Sequence, residues 1–353
     1  MTEITRRRTL GAALGAGAIL AGMRDARAAP LDDLIAAAKK EGTVNSVGMP
    51  DDWANWGATW KGIGDKYGLK HVDTDMSSAE ELAKFAAERA NASADIGDVG
   101  FEFGAIAADR GLAASYKPST WDQIPAWAKD PEGRWALAYT GTISFLVAKD
   151  VANPPRSWAD LASGTYKIAC GDVGKASQSN AAVLACAIAL GGGESNLGPA
   201  MDLFAKLAKQ KRLLTITALP ANMARGEIQV ALAWDFNGLN YRDKVGGDRF
   251  TVSIPSDGSV TSGYTTVINK FAKNPNAAML TREYIFSDEG QANLADGYAR
   301  PIRVDNIKLS DVARARLLPT SQYAKARPID PKQWSDGAKK VPALWQERVL
   351  TEL

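Results

Sequence analysis

The strongest fold signal in the chain is Gly226-Glu227-Ile228-Gln229-Val230-Ala231-Leu232-Ala233-Trp234-Asp235-Phe236-Asn237-Gly238-Leu239-Asn240-Tyr241. Ile228 to Ala233 is an apolar, β-compatible run, long enough for a strand buried on both faces, and it leads directly into Trp234, Asp235, Phe236 and Asn237. Ligands of open α/β sheets are met at the carboxyl ends of such strands, so the pattern predicts a binding loop here. Trp234 offers stacking, Asp235 charge and Asn237 hydrogen bonds. The alternative is a strand end with a turn and packed aromatics, because a fold alone does not fix a function.

Strand and helix patterns alternate on the amino-terminal side of this stretch. Leu31, Leu34, Ile35 and Ala38 keep helical spacing, Gly42 ends that helix, and Thr43 to Val47 reads as a strand followed by a loop through Asp51 and Asp52. Trp53, Trp56, Trp60, Ile63 and Tyr67 then share one helical face, a core stripe whose first turn, Trp53 and Asn55, is positioned to look into a cleft. His71 to Met76 is a second strand, and Ser78 with Glu81 forms a capping box for a helix running to Ala92. Asp95 to Phe101 is the third strand, with Glu102 at its carboxyl end. The alternation predicts a parallel sheet with helices on both faces. Gly62, Gly64 and Gly68 imitate a dinucleotide fingerprint, but they lie in or at the end of a helix and not between a strand and a helix start.

Trp135 to Ala148 is a long β-like run interrupted at Tyr139-Thr140-Gly141-Thr142, which predicts one strand passing between two bodies, and Ser262-Gly263-Tyr264 to Asn269 supplies a return crossing. Tyr166 to Cys170 opens a second strand-helix series, whose apolar helix Ala181 to Leu190 follows a glycine-rich approach ending in Ser177, Gln178 and Ser179. Small hydroxyl residues there make an anion or hydroxyl site, although an ordinary cap accounts equally well for one of the serines. Two helices are expected from Pro328 to the end of the chain.

The 353 residues, 46% hydrophobic and 23% charged, suffice for two globular bodies. Arg6-Arg7-Arg8-Thr9-Leu10, a Gly/Ala-rich run to Met23 and Ala26-Arg27-Ala28 resemble a cleavable twin-arginine export signal over residues 1–28, departing from the usual pattern at its Phe and Lys positions. Its removal takes away five arginines and two acids, so the formal charge falls from +2 to −1 and no basic field argues for nucleic acid. Export to an oxidising compartment permits a bridge between Cys170 and Cys186, while their apolar surroundings suit two separately buried thiols. His71 is the single histidine, no Gly-x-Ser-x-Gly elbow or Cys-x-x-Cys pair occurs, and neither triad nor zinc nor haem chemistry has its ligands. A non-enzyme with no cofactor and no metal is expected; a periplasmic cofactor-bearing enzyme using the twin-arginine route is the alternative.

Several segments together resemble bacterial extracellular solute-binding proteins of ABC importers. They are Leu34 to Gly42, Asp95-Ile96-Gly97-Asp98-Val99, Tyr139 to Thr142, Pro155-Arg156-Ser157-Trp158-Ala159-Asp160-Leu161 and Ser287-Asp288-Glu289-Gly290-Gln291. The branch includes polyamine, phosphonate, thiamine and ferric-ion binders. The resemblance implies an α/β, two-lobed periplasmic-binding-protein fold of type II, each lobe a mainly parallel sheet flanked by helices, joined by two hinge crossings. It assigns residues 29–138 and 265–353 to one lobe and 139–264 to the other. The implied cleft comprises Asp51, Asp52, Trp53, Phe101, Glu102, Tyr139, Thr140, Ser177, Gln178, Ser179, Trp234, Asp235, Asn237 and Tyr264. Ferric binders carry adjacent tyrosines near the position of Asp235-Phe236, which this chain lacks, whereas Asp51, Asp52, Glu102 and Asp235 with the aromatics favour an amine-bearing solute. An anion held at Ser177 to Ser179 makes that solute zwitterionic; a ferric ion or sugar phosphate is the alternative ligand. The implied partners are a small-molecule solute, an inner-membrane ABC permease and the twin-arginine machinery, for a periplasmic monomer.

Overall fold

The computed structural model describes residues 31–353, so the export signal expected over residues 1–28 lies outside the described residues. The helices are α1 Leu31–Glu41, α2 Trp56–Tyr67, α3 Ser78–Glu88, α4 Phe101–Asp109, α5 Trp158–Leu161, α6 Ser177–Ala189, α7 Gly198–Lys209, α8 Pro220–Ala224, α9 Asp235–Lys244, α10 Pro275–Ile285, α11 Asp288–Asp296, α12 Asp311–Arg316 and α13 Pro331–Arg348. The strands are β1 Thr43–Val47, β2 Lys70–Thr74, β3 Ile96–Gly100, β4 Trp135–Ala148, β5 Ile168–Ala169, β6 Leu213–Leu214, β7 Val230–Trp234, β8 Phe250–Ser253, β9 Ser259–Ile268, β10 Arg300–Pro301 and β11 Ala326–Pro328.

The strands pair in the order β2-β1-β3-β9-β4-β7-β5-β6, with β8 and β10 added on β4 and β11 on β9. Both ends of this order are parallel: β1 with β2 and β3, and β5 with β6 and β7. The middle is antiparallel, because β4 runs opposite to β9, which itself runs opposite to β3, and then opposite to β7. Trp135 to Thr142 of β4 faces β9, while Ile143 to Ala148 pairs with β7 and β8. Helices cover the sheet, and the C-terminal helix α13 packs on both α4 and α7.

Most expected elements are present, and the differences have local causes. The β7 run is buried at every position, as a strand covered on both faces requires. No loop follows it: α9 starts at Asp235, directly after Trp234. The same direct passage occurs at β3, where Phe101 and Glu102 open α4. Helix α6 begins at Ser177, four residues before the apolar run, because Ser177 to Asn180 already adopt the helical first turn. Tyr166 to Cys170 contributes only two ladder residues, and the C-terminal region forms one long helix and a short 3-10 turn in place of two helices. The capping box of α3 is one residue earlier than expected: Glu80 Oε2 accepts from the Ser77 N–H at 2.9 Å and the Ser77 hydroxyl at 2.7 Å, with Ser77 at the N-cap. That shift frees Glu81 to point elsewhere.

Arg282 holds the first half of the sheet to its helical layer. Its buried guanidinium donates to Thr266 Oγ1 and O, Tyr116 O and Gly133 O at 3.0, 2.7, 3.1 and 2.9 Å, and burial pulls its pKa down to about 9. Arg282→Ala strands these acceptors in a place water does not reach, and is expected to lower the unfolding free energy in urea by about 3–5 kcal/mol.

Candidate functional site

Carboxyl ends of β1 and β3 and the amino ends of α3 and α6 converge on a cavity of about 230 Å³. One wall is Gly48, Pro50 and Trp53, with Asp75, Met76, Ser77, Ser78, Glu81 and Asp98; the facing residues are Ala176, Gln178, Ser179, Thr217 and Tyr264. Larger depressions of about 610 and 580 Å³ lie elsewhere, but among the described residues none of their lining side chains is a buried polar group without a partner. In the small cavity both Glu81 and Asp98 are 1% exposed, and among the described residues Glu81 Oε2 and Asp98 Oδ1 have no partner. Such atoms are costly to bury unless something hydrogen-bonds to them.

The surroundings hold these two groups in place. Asp98 Oδ2 accepts from Tyr139 Oη at 2.6 Å and Trp56 Nε1 at 3.3 Å, and the Trp53 indole donates to Tyr139 Oη at 2.7 Å. Gly48, at φ +67°, and Gly97 lie so close to the Glu81 carboxyl that a Cβ at either would overlap it. Burial pushes the Glu81 pKa well up, and the acidic neighbours Asp98 and Asp73 push it further; burial likewise raises Asp98, against the donors Tyr139 and Trp56. Behind them, the Ser46 hydroxyl donates to Asp73 Oδ1 at 2.5 Å and lies 2.8 Å from His71 Nε2. The serine proton therefore points to the carboxylate and not to the imidazole, the reverse of a nucleophile and its base. His71 stacks on Trp60 at 3.6 Å, and burial lowers its pKa to about 4.

Of the residues expected to line a cleft, Trp53, Gln178, Ser179 and Tyr264 border this cavity. Tyr139 stands directly behind it, bonded to Asp98 and stacked on Tyr264 at 5.7 Å. Gln178 Oε1 accepts from the Trp234 N–H and from Asn237 Nδ2, both at 2.9 Å, which ties α6 to the start of α9. Ser177 Oγ donates to buried Glu102 Oε1 at 3.0 Å, joining α6 to α4. Phe101 packs edge-on against Trp127 and Trp135, and the partly buried Thr140 bonds to Arg300 O at 3.5 Å. Asp51 and Asp52 are exposed, and Asp52 pairs with Lys244 at 2.5 Å. Trp234, expected to stack on a solute, is wholly buried and donates to Tyr264 Oη at 3.1 Å. Asp235, expected to take a cationic group, is outside the cavity lining and accepts from Thr142 N, Phe236 N and Tyr323 Oη at 2.9, 3.0 and 2.6 Å. The two cysteines are separate buried thiols, and burial lifts Cys170 to about 12.

Sequence reasoning missed Glu81 and Asp98 as cavity residues. Asp98 had a signal, a carboxylate between Gly97 and Gly100 in a strand otherwise destined for burial, whereas Glu81 was hidden by the capping pattern.

This arrangement defines an α/β protein with a partly open cavity lined by residues from both ends of its sheet. The chain belongs to the bacterial extracellular solute-binding protein family, whose model matches residues 91–336. It is 25% identical over 186 residues, 51% of this chain, to the sulfate-binding protein of Salmonella typhimurium, and the match spans only 56% of that relative. Its structure is similar to the periplasmic binding protein AfuA from Actinobacillus pleuropneumoniae with exogenous fructose-6-phosphate bound (TM-score 0.73, 21% identity, 87% of this chain and 98% of that one). It is also similar to the ferric binding protein from Campylobacter jejuni (TM-score 0.65, 21% identity, 86% and 98%). The fold is the type II periplasmic binding fold, and the family places the protein outside the cytoplasm.

Two outcomes follow from this geometry. Glu81 and Asp98 have native pKa values above their ordinary 4.5 and 3.8, so the native state retains protons that the unfolded chain has lost. Their contribution to stability is therefore fully present below those ordinary values and is lost as pH rises through the raised native ones. Thermal melts from pH 5 to 8 are expected to show this loss as a fall in the stability of the wild type relative to Glu81→Gln, a difference from which the opposite contribution of His71 cancels. Asp235→Ala leaves two backbone N–H groups and the Tyr323 hydroxyl without their acceptor, and should cost about 1–3 kcal/mol in chemical denaturation.

Proposed function

We propose that this protein is the solute-binding component of an ABC importer, that it captures a small amine-bearing polar solute in the cavity at Glu81 and Asp98, and that it delivers the solute to an inner-membrane permease. Two nine-tenths-buried carboxyls, each with an oxygen lacking any partner and both facing one cavity, are the observation that carries this reading. An ammonium group supplies three donors and a positive charge, which is what such oxygens lack. Trp53 and Tyr264 add aromatic faces on the same cavity. A volume of about 230 Å³ falls below the roughly 300–1,000 Å³ of drug-sized sites, which favours a solute of few heavy atoms such as a short polyamine or aminophosphonate. In this reading residues 29–138 and 265–353 form one lobe and 139–264 the other, hinged at β4 and β9.

A zwitterionic solute has separate support. The first turns of α3 and α6 border the cavity through Ser77, Ser78, Gln178 and Ser179, and helix amino ends favour an anionic group. The sulfate-binding relative and the fructose-6-phosphate-bound structure are likewise named for anions. Iron finds less support: among the described residues no cluster of three or more His, Cys, Asp or Glu is arranged to hold a metal ion.

A thermal-shift panel of polyamines, aminophosphonates, ω-amino acids, sulfate, sugar phosphates and ferric complexes tests the assignment. The cognate solute at a hundredfold excess over Kd is expected to stabilise the protein by about 2.7 kcal/mol. Glu81→Gln should abolish that shift while the variant remains folded. Stabilisation by sulfate or a sugar phosphate alone, undiminished in Glu81→Gln, would transfer the site to an anion.

A further inference from the structure

Glu81 and Asp98 are confined to a place where, among the described residues, no basic side chain is among the groups that act on them. The groups that face them are acidic or neutral from every side: Asp73 from β2 and Asp75 just beyond it, Tyr139 from β4, Tyr264 from β9, and the Trp56 indole from α2. Glu102 on α4 adds another buried carboxyl, and His71 reaches the group only through Ser46 and Asp73. Lys175 pairs with Asp172 and acts on the exposed Glu80, not on Glu81 or Asp98. The Glu81 carboxyl occupies the space that side chains at positions 48 and 97 would fill, so Gly48 and Gly97 make room for it beside Asp98.

We propose that the solute-free protein holds a proton on the Glu81–Asp98 pair at neutral pH, and that binding of the solute's ammonium group drives this proton into solvent. This rests on the amine-binding reading of the cavity and gives its regulation. The balance is simple: a carboxylic acid and an alkylammonium ion enter, and a carboxylate–ammonium pair and one hydrated proton leave. Desolvation acts in the same direction, since burial lifts both acids in the absence of a cation. The ammonium reverses the effect by supplying the missing positive charge, so each bound solute releases up to one proton. Affinity then rises with pH, up to tenfold per pH unit, until the pair ionises without help. The cavity thereby selects cations twice, by charge and by the proton it must surrender to receive them.

The test uses the signal-free mature chain with putrescine, 4-aminobutyrate and 2-aminoethylphosphonate as probes. Infrared spectra of the free protein at pH 7 are expected to show a protonated carboxyl stretch that is absent in Glu81→Gln. Asp98→Asn, which keeps an acceptor for Tyr139 and Trp56, should alter the same band. Calorimetric titrations in two buffers of different ionisation enthalpy, from pH 5 to 8, are expected to show proton release approaching one per probe bound and affinity increasing with pH. A free protein without the band, or a probe bound with no proton release and pH-independent affinity, overturns the proton coupling and leaves the amine reading standing. Failure of all three probes to bind at any pH overturns both.

Discussion

The antiparallel pairing of β4 with β9 is the constraint on which the two halves of the molecule depend. Each half alone is a short parallel sheet, and parallel ladders need their neighbours reached through helices. β4 is long enough to pair with β9 in one half and with β7 and β8 in the other, so it carries backbone hydrogen bonds from one half into the other. Tyr139 sits in β4 just before that strand changes partners, and from there it reaches Asp98 in one direction and Trp53 in another. The crossing that joins the halves is thus also the rear wall of the cavity.

The site works against stability, in the sense that its most buried charges are its least compensated. Arg282 shows how the same chain treats a buried ion when only structure is at stake: four well-placed acceptors surround it. Glu81 and Asp98 receive less, and each retains an unpartnered oxygen. A structural carboxylate would resemble Asp235, whose oxygens take two backbone N–H groups and a tyrosine hydroxyl. That contrast separates the cavity-facing acids from the fold-holding one.

Much of the fold was legible because periodicity and punctuation are local properties. The α1 helix, its Gly42 stop, the β1 strand, the aromatic stripe of α2 and the 14-residue β4 all follow from residues near in sequence. Element junctions were harder to read. A strand that passes into a helix without a loop, as β7 does at Asp235, gives up no glycine or proline to mark the change. The cavity lining was legible in part: of the residues that the family resemblance implied for a cleft, Trp53, Gln178, Ser179 and Tyr264 border the cavity. Glu81 was not, because two adjacent serines and two adjacent glutamates allow two capping registers, and the choice between them rotates which glutamate faces outward.

The sequence by itself determined the alternation of strands and helices, the two crossings, the lack of nucleophile and metal motifs, and the polar, aromatic character of the strand ends. Tertiary structure alone decided which carboxylates meet the cavity. Asp235 and Glu81 are both acidic residues in the first turn of a helix. One finds Tyr323, 88 residues away, and two free N–H groups; the other fills the space left by Gly48 and Gly97 beside Asp98, where among the described residues its Oε2 has no donor. A charge's role depends on the donors within about 3 Å of it, and those donors come from segments distant in sequence.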